Sequence, residues 1–319
     1  MESLKKPVAI TLAVIILLMC LLSWYWSREP GFLVLDEAKE PIKGVATTEM
    51  LIKTVETLLD KPGGYLSNDK MPPSAFLDNM PNWEFGVLQQ VRDLAKALRN
   101  DYSRSQTQSL ADKSLEEAEP KFNVDSYAWM FPSAEGEYGE GKEYLEIYLA
   151  NLRKTSQRDS QFYARADNLN EWLSLVEKRL GSLSQRLSAA RPQTRINTDL
   201  AGDKNAQQST ETESEVETKT SWFDIDNNFF EARGTAWALI HFLRAAEIDF
   251  EEVLVDKNAL VSLQQIIREL EATQQPIRSF MILNGSGLGM FANHSLVMSS
   301  YITRANAAIA DLRTLLADG

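Results

Sequence analysis

The chain has 319 residues, 44% of them hydrophobic, with a formal net charge of −12 and a single cysteine, Cys20. Glu2, Lys5 and Lys6 together carry +1, so the chain beyond them carries about −13, which excludes a nucleic-acid partner needing a basic footprint and argues against docking flat on anionic lipid. One cysteine excludes an intrachain disulfide, and the length suffices for one or two packed domains.

Residues 1–6 read as a cytoplasmic tail. Pro7 to Trp26 is an uncharged run of twenty residues, ten of them Leu, Ile or Val. At about 1.5 Å per helical residue it covers about 30 Å, the thickness of a bilayer's hydrocarbon core. A cleaved secretory signal fits less well, because the run exceeds the usual apolar region of about 7–15 residues and lacks small A-x-A-like residues at its end. A lipoprotein signal at Cys20 lacks the small preceding residue, where Met19 stands. Lys5 and Lys6 set the N-terminus on the cytoplasmic side, and Trp24, Tyr25 and Trp26 form an aromatic belt at the far interface. The bilayer is therefore the expected partner of residues 7–26, and the absence of disulfides in the exported bulk suits a bacterial periplasm.

Residues 27–45, with Pro30, Gly31, Pro41 and Gly44, read as an extended spacer. A helical subdomain is expected over 46–191. Its first helix spans about Thr47 to Asp60 and carries Met50, Leu51, Val55, Leu58 and Leu59 on one side. After Pro72 and Pro73, Asn79 reads as a cap, and Trp83, Val87, Val91, Leu94, Leu98 and Tyr102 predict a helix of about 25 residues. Phe162, Ala166, Leu169, Leu173, Val176, Leu180, Leu183 and Leu187 then alternate spacings of four and three, a coiled-coil stripe. Extended backward through Leu152, Tyr148 and Leu145, the register predicts one long helix from near Gly141 to Ala190, weakened at Thr155 and Asp159. An antiparallel bundle within the chain fits the stripe better than a two-stranded assembly, because neighbouring helices carry matching stripes.

Residues 192–221 lack aromatic side chains, carry the series QQSTETESEVETKT, and read as a disordered acidic loop. A C-terminal helical subdomain follows over 222–319. It contains helices around Trp237 to Leu243, around Leu260 to Leu270, and from about Ala292 to Ala317. Only Phe280 to Leu283 hints weakly at a strand. The expected fold is all-α: one N-terminal transmembrane helix, then an antiparallel helical bundle with a long coiled-coil-like helix.

Few residues suggest chemistry. Gly285, Gly287 and Gly289 follow SFMIL and precede a helix, but G-x-G-x-x-G is met only with Ala292 in the last place, and no βαβ pattern surrounds it. Positive φ or a close chain approach explains such glycines better. His241 and His294, the two histidines, belong to no metal-binding arrangement, so neither metal nor cofactor is expected. Asp224, Asp226 and Glu231 could act as paired carboxylates in glycoside hydrolysis, although acidic residues at a helix start ordinarily serve the helix itself.

The stretch GLGMFANHSLVMSSYITRANAAIADLRTLL, the segment WFDIDNNFFEARGTAWAL and the N-terminal apolar run together resemble an uncharacterised family of proteobacterial inner-membrane proteins, known only as a domain of unknown function. The resemblance implies a Gram-negative source and an inner-membrane location, which the one apolar run makes single-pass, and it transfers no activity. No reaction is identified, and a role other than catalysis is expected. Two functions remain in view. One is an envelope scaffold, assembly factor or adaptor, with an envelope protein or a second copy as partner. The other is a cell-wall-related enzyme or small-ligand binder with its site at Gly285, Gly287, Gly289, Asn293 and His294.

Overall fold

Apolar residues three and four apart can both pair their backbone groups and bury their side chains when helices pack face to face. The computed structural model describes residues 2–34, 42–105, 111–154, 160–196, 215–279, 281–287 and 289–318, and ten α-helices lie among them. They are α1 (Glu2–Trp26), α2 (Val45–Asp60), α3 (Asn79–Ala97), α4 (Lys113–Phe122), α5 (Ala134–Arg153), α6 (Ala166–Ser188), α7 (Ile225–Asp249), α8 (Glu251–Asp256), α9 (Leu260–Ala272) and α10 (His294–Ala317). The fold is all-α, with α1 standing apart from a packed bundle.

Side-chain bonds fix the direction of each helix. Trp26, at the end of α1, packs against Gly63 just beyond α2. From there Glu29 pairs with Arg233, the Gly31 carbonyl accepts from Trp237 Nε1 at 3.1 Å, and the Leu33 amide donates to His241 Nε2 at 2.8 Å. Residues 29–33 thus climb α7 turn by turn. The described part of the expected spacer is stitched to the body. The end of the bundle nearest Trp26 is here termed the base.

Rising and descending helices alternate along the chain. α2 descends from Asp249 at the far end of α7 to Lys61, which pairs with Glu84 near the start of α3. α3 rises, continued by a π-helical turn over Leu98–Tyr102 that brings Tyr102 within 5.2 Å of Phe250. α4 descends until Arg92 binds the Phe122 and Val124 carbonyls, and α5 rises until Arg153 reaches Glu49. α6 descends past Asp93 to Glu231, α9 descends from Glu247 to Arg233, and α10 rises along α6 from Ser184 to Asn170. The connections over 61–78 and 123–133, and the described residues of those over 189–224 and 273–293, therefore lie at the base. One buried apolar cluster runs through the bundle from Val45 to Leu316.

Several details depart from expectation. Leu169, Leu173, Val176, Leu180, Leu183 and Leu187 are buried on α6, largely against α10. Leu145, Tyr148 and Leu152 sit on the separate helix α5, which packs on α2 and α4. The helix breaks at Lys154, and Thr155 and Asp159 lie outside the described residues. Any helix with one buried face shows this spacing, so a register that carries across a polar gap does not make one helix of two. Within the loop expected to be disordered, β1 (Gln193–Ile196) and β2 (Glu215–Thr218) form a short antiparallel ladder, while 197–214 lie outside the described residues. Met281 to Leu283 form no strand, and Phe280 is outside the described residues. Asn79 begins α3 instead of capping it, and Asp78 occupies the cap position.

The closest contact in the bundle joins α3 and α7. A Cβ on Gly234 would collide with the Trp83 carbonyl, and one on Gly86 would collide with the Glu231 carbonyl and come within 2.7 Å of the Thr235 nitrogen. Only glycine at both positions lets the two backbones meet, with Thr235 Oγ1 donating to the Gly86 carbonyl at 3.4 Å. Substitution there should separate the helices along their length. We expect Gly234→Ala to destabilise the detergent-solubilised protein by more than about 2 kcal/mol in denaturant unfolding followed by circular dichroism. An unchanged midpoint would contradict the close-contact account.

Candidate functional site

The five residues expected to form a site are brought together at the base, where each has a local structural role, Gly289 through its amide, which donates to the Ser286 carbonyl at 3.0 Å. Asn293 caps α10: its Oδ1 accepts from the Leu296 amide and its Nδ2 donates to the Gly285 carbonyl, both at 2.8 Å. The Gly285 amide donates to the Ala292 carbonyl at 2.9 Å, and a Cβ on Gly285 would collide with the Phe291 carbonyl. Gly287 has φ of 36°, in the left-handed region that glycine tolerates. His294 accepts from the Leu283 amide at Nδ1, 3.0 Å away, while its own amide donates to the Leu283 carbonyl at 2.9 Å. Partial burial lowers the pKa of this imidazole, which suits a neutral acceptor. The group is a clasp closing residues 283–294 onto α10. Among the described residues, no carboxylate is bonded to His294 and no cluster of His, Cys, Asp or Glu could hold a metal ion.

The belt residues behave differently from one another. Trp24 and Tyr25 are exposed, and the Arg28 guanidinium lies 4.0 Å above the Trp24 ring. Trp26 is half-buried against the body, and Lys6 is exposed. The side chain of Lys5 lies outside the described residues.

A cleft of about 540 Å³ opens between α3, α6 and α7. Its two arginines are already matched. Arg179 binds both oxygens of Asp93, with Nη2 to Oδ1 at 2.8 Å, and Arg186 grips Glu231 through bonds of 2.5 and 2.6 Å. The hydrogen bonds to Asp93 raise the Arg179 pKa further, against the opposing effect of burial. Glu231 is thus committed to Arg186, away from the paired-carboxylate role considered for it with Asp224 and Asp226. Lys178 and Ser182 also line the cleft. Such a site can hold a small polar molecule, but no nucleophile there is paired with a base.

A second group of polar residues was missed in the sequence because its partners are distant in the chain. Asp249 accepts from the Gly44 and Thr47 amides at 2.8 and 2.7 Å, capping α2 across more than two hundred residues. Glu84, fully buried, binds Lys61 and accepts from the Leu66 and Ser67 amides at 2.8 Å and the Ser67 hydroxyl at 2.5 Å. Burial pushes both carboxyls above their ordinary range against the pull of these donors. His241, fully buried, lies 2.6 Å from the Trp237 carbonyl at Nδ1. Since Nε2 accepts from Leu33, the network assigns the proton to Nδ1, and a second proton would break the Leu33 bond.

Burial lowers the His241 pKa from 6.5 to about 4. As pH falls below 6.5 the unfolded chain takes up a proton that the folded chain refuses until about pH 4, so stability declines across that window. The loss amounts to about 3 kcal/mol. Chemical unfolding at pH 7 and pH 4 should show the wild type losing about that much more stability than His241→Phe, which starts lower but responds less. Equal losses in the two proteins would contradict the assignment.

Searches among curated proteins and solved structures find no match. A family model described as an uncharacterized protein conserved in bacteria, DUF2333, matches residues 2–319. With nearly every residue matched and no chemistry resolved at the clasp or the cleft, the chain belongs to this uncharacterized bacterial family.

Proposed function

We propose that the protein is a single-pass inner-membrane protein, with its N-terminus in the cytoplasm and its helical body in the periplasm, acting as an envelope scaffold, assembly factor or adaptor. The observation that carries this reading is the contrast between α1 and the rest. The Lys6–Trp26 stretch has a mean hydropathy of 2.5 and none of it is buried, so its apolar surface requires lipid to cover it. The chain leaves α1 directly into structure, with Trp26 packed on the body and Glu29 bonded to Arg233. Integration of these residues supports an anchor that stays attached, since cleavage past Trp26 would strip the body of a packed side chain.

The α6 stripe is consumed by the core, so a partner must bind elsewhere. Val176→Glu would unfold the bundle and report nothing about partners. A better test combines topology with capture. Alkaline phosphatase fused after Gly319 should be active and a fluorescent protein fused there dark. A photo-crosslinking residue at Val255 or Val261, exposed on the side away from the base, should give discrete adducts in intact cells. An active cytoplasmic reporter would overturn the topology, and a monomer with no adducts would overturn the scaffold reading.

The cleft supports a second reading, binding of a small polar ligand. Lys178→Ala should then abolish any thermal shift that cell-wall fragments produce in the wild type, while leaving the unliganded melting temperature within about 2 °C. Absence of any wild-type shift would remove this reading.

A further inference from the structure

The base of the bundle exposes apolar side chains of a kind that the opposite end does not. Phe76, Trp129, Phe131, Trp222, Met290 and Phe291 are between 57% and 99% exposed. They come from separate connections, and bonds tie those connections together in two groups. Asn68 Nδ2 donates to the Ala128 carbonyl at 2.9 Å, joining the first two. Asn284 Nδ2 donates to the Ala190 carbonyl at 2.5 Å and the Thr220 amide to the Ala189 carbonyl at 2.8 Å, joining the others. At the far end, the described residues of the connections expose valines such as Val34 and Val255, but no aromatic or methionine side chain in the same range.

α1 ends at this same base, with Trp26 against Gly63. Glu29 is already bonded to Arg233, so only two residues separate the end of the apolar helix from the body. A body held this closely cannot turn its base away from the bilayer that α1 crosses. The connections also satisfy their own backbones: Ala75, Phe76 and Leu77 amides donate to the Met71, Pro73 and Ser74 carbonyls, Ala134 donates to Ala128, and Gly285 to Ala292. Local pairing of this kind is what a segment needs on leaving water for the headgroup and acyl boundary.

From these observations we infer that the base is a second membrane-binding surface, whose aromatic and methionine side chains insert into the leaflet from which α1 emerges. This rests on the reading of α1 as a membrane span. The contact is apolar in kind. The net negative charge opposes adhesion to anionic lipid, but charges farther than about 8 Å from the surface are screened at physiological salt, and the base itself mixes Lys70, Arg191 and Arg278 with Asp69, Asp125 and Asp224. Insertion therefore does not need anionic lipid. Side chains of this type enter the interface to a depth of about 5–10 Å.

The test uses the full-length protein reconstituted in phosphatidylcholine vesicles, carrying one thiol-linked environment-sensitive fluorophore. The native Cys20 gives the first position. In a Cys20→Ser background, Phe76→Cys, Trp129→Cys and Met290→Cys report the base, and Val255→Cys and Val261→Cys serve as controls. The inference expects blue-shifted emission at the three base positions, with quenching by lipids spin-labelled near the headgroup at least twofold greater than at the controls. Water-like emission at the base while Cys20 is quenched would overturn the insertion and leave the anchor intact. Unquenched fluorescence at Cys20 would instead overturn the anchor reading beneath it. Blue-shifted base positions that lipid does not quench would show that a second copy covers the surface, and the inference would fail.

Discussion

The backbone contact between α3 and α7 at Gly86 and Gly234 is the constraint on which the arrangement rests. Two helices this close cannot be held by side chains alone, and the stretches beside the glycines carry the residues that position everything else. On α3, Trp83 packs its ring 5.2 Å from Trp237 and Glu84 gathers the connection that follows α2. On α7, Arg233, Trp237 and His241 follow one another by a turn and take up residues 29–33 in order. Moving α7 outward by the width of a methyl group would shift the platform to which the end of α1 is fastened.

Buried polar groups then specify which parts meet. A buried carboxylate without partners is strongly destabilising, and even a well-made buried ion pair adds little net stability over an apolar replacement. What Glu84, Asp249 and Arg233 contribute is therefore selectivity. Arg233 is nearly inaccessible, and besides Glu29 it binds the Thr273 and Gln275 carbonyls at 2.9 and 3.0 Å. A single guanidinium thereby fixes the segment that follows α1, α7 and the end of α9 against one another. A shift of any one of them would leave a buried charge or carbonyl unpaired, a penalty larger than the loss of a few apolar contacts.

Much of the helical framework was legible, because burial of one face imposes a spacing that survives in the sequence. Val45–Asp60, Asn79–Ala97 and His294–Ala317 lie close to the helices expected there, and the buried stripe of Ala166–Ser188 was read although its helix was drawn too long. α4 was overlooked, since only Leu115, Ala118 and Phe122 are buried in its ten residues. α5 was placed too late and joined to α6, although Ser133, whose hydroxyl accepts from the Gly136 amide, was a readable cap. The clasp at Gly285 and Asn293 could be located from its turn residues, but its structural use depended on Leu283 and Ala292 folding back. Gly86 and Gly234 also left a signal, because a glycine inside a helix costs about 1 kcal/mol relative to alanine and calls for a packing reason. Which helix answered that need was invisible, since the two glycines stand almost 150 positions apart.

The same limit explains why the base could not be read in advance. Met290 and Phe291 have the composition of core residues, and hydropathy alone does not separate an apolar side chain that is covered from one that is presented. The distinction arises only when the alternation of rising and descending helices gathers connections from distant parts of the sequence at one end, and when residues 29–33 tie that end to α1. A flexible tether would have let the body tumble and would have left exposed aromatic residues to aggregate or find partners in solution. The short, bonded connection makes their orientation a property of the fold, so a surface that would be a liability on a free protein becomes usable beside a bilayer.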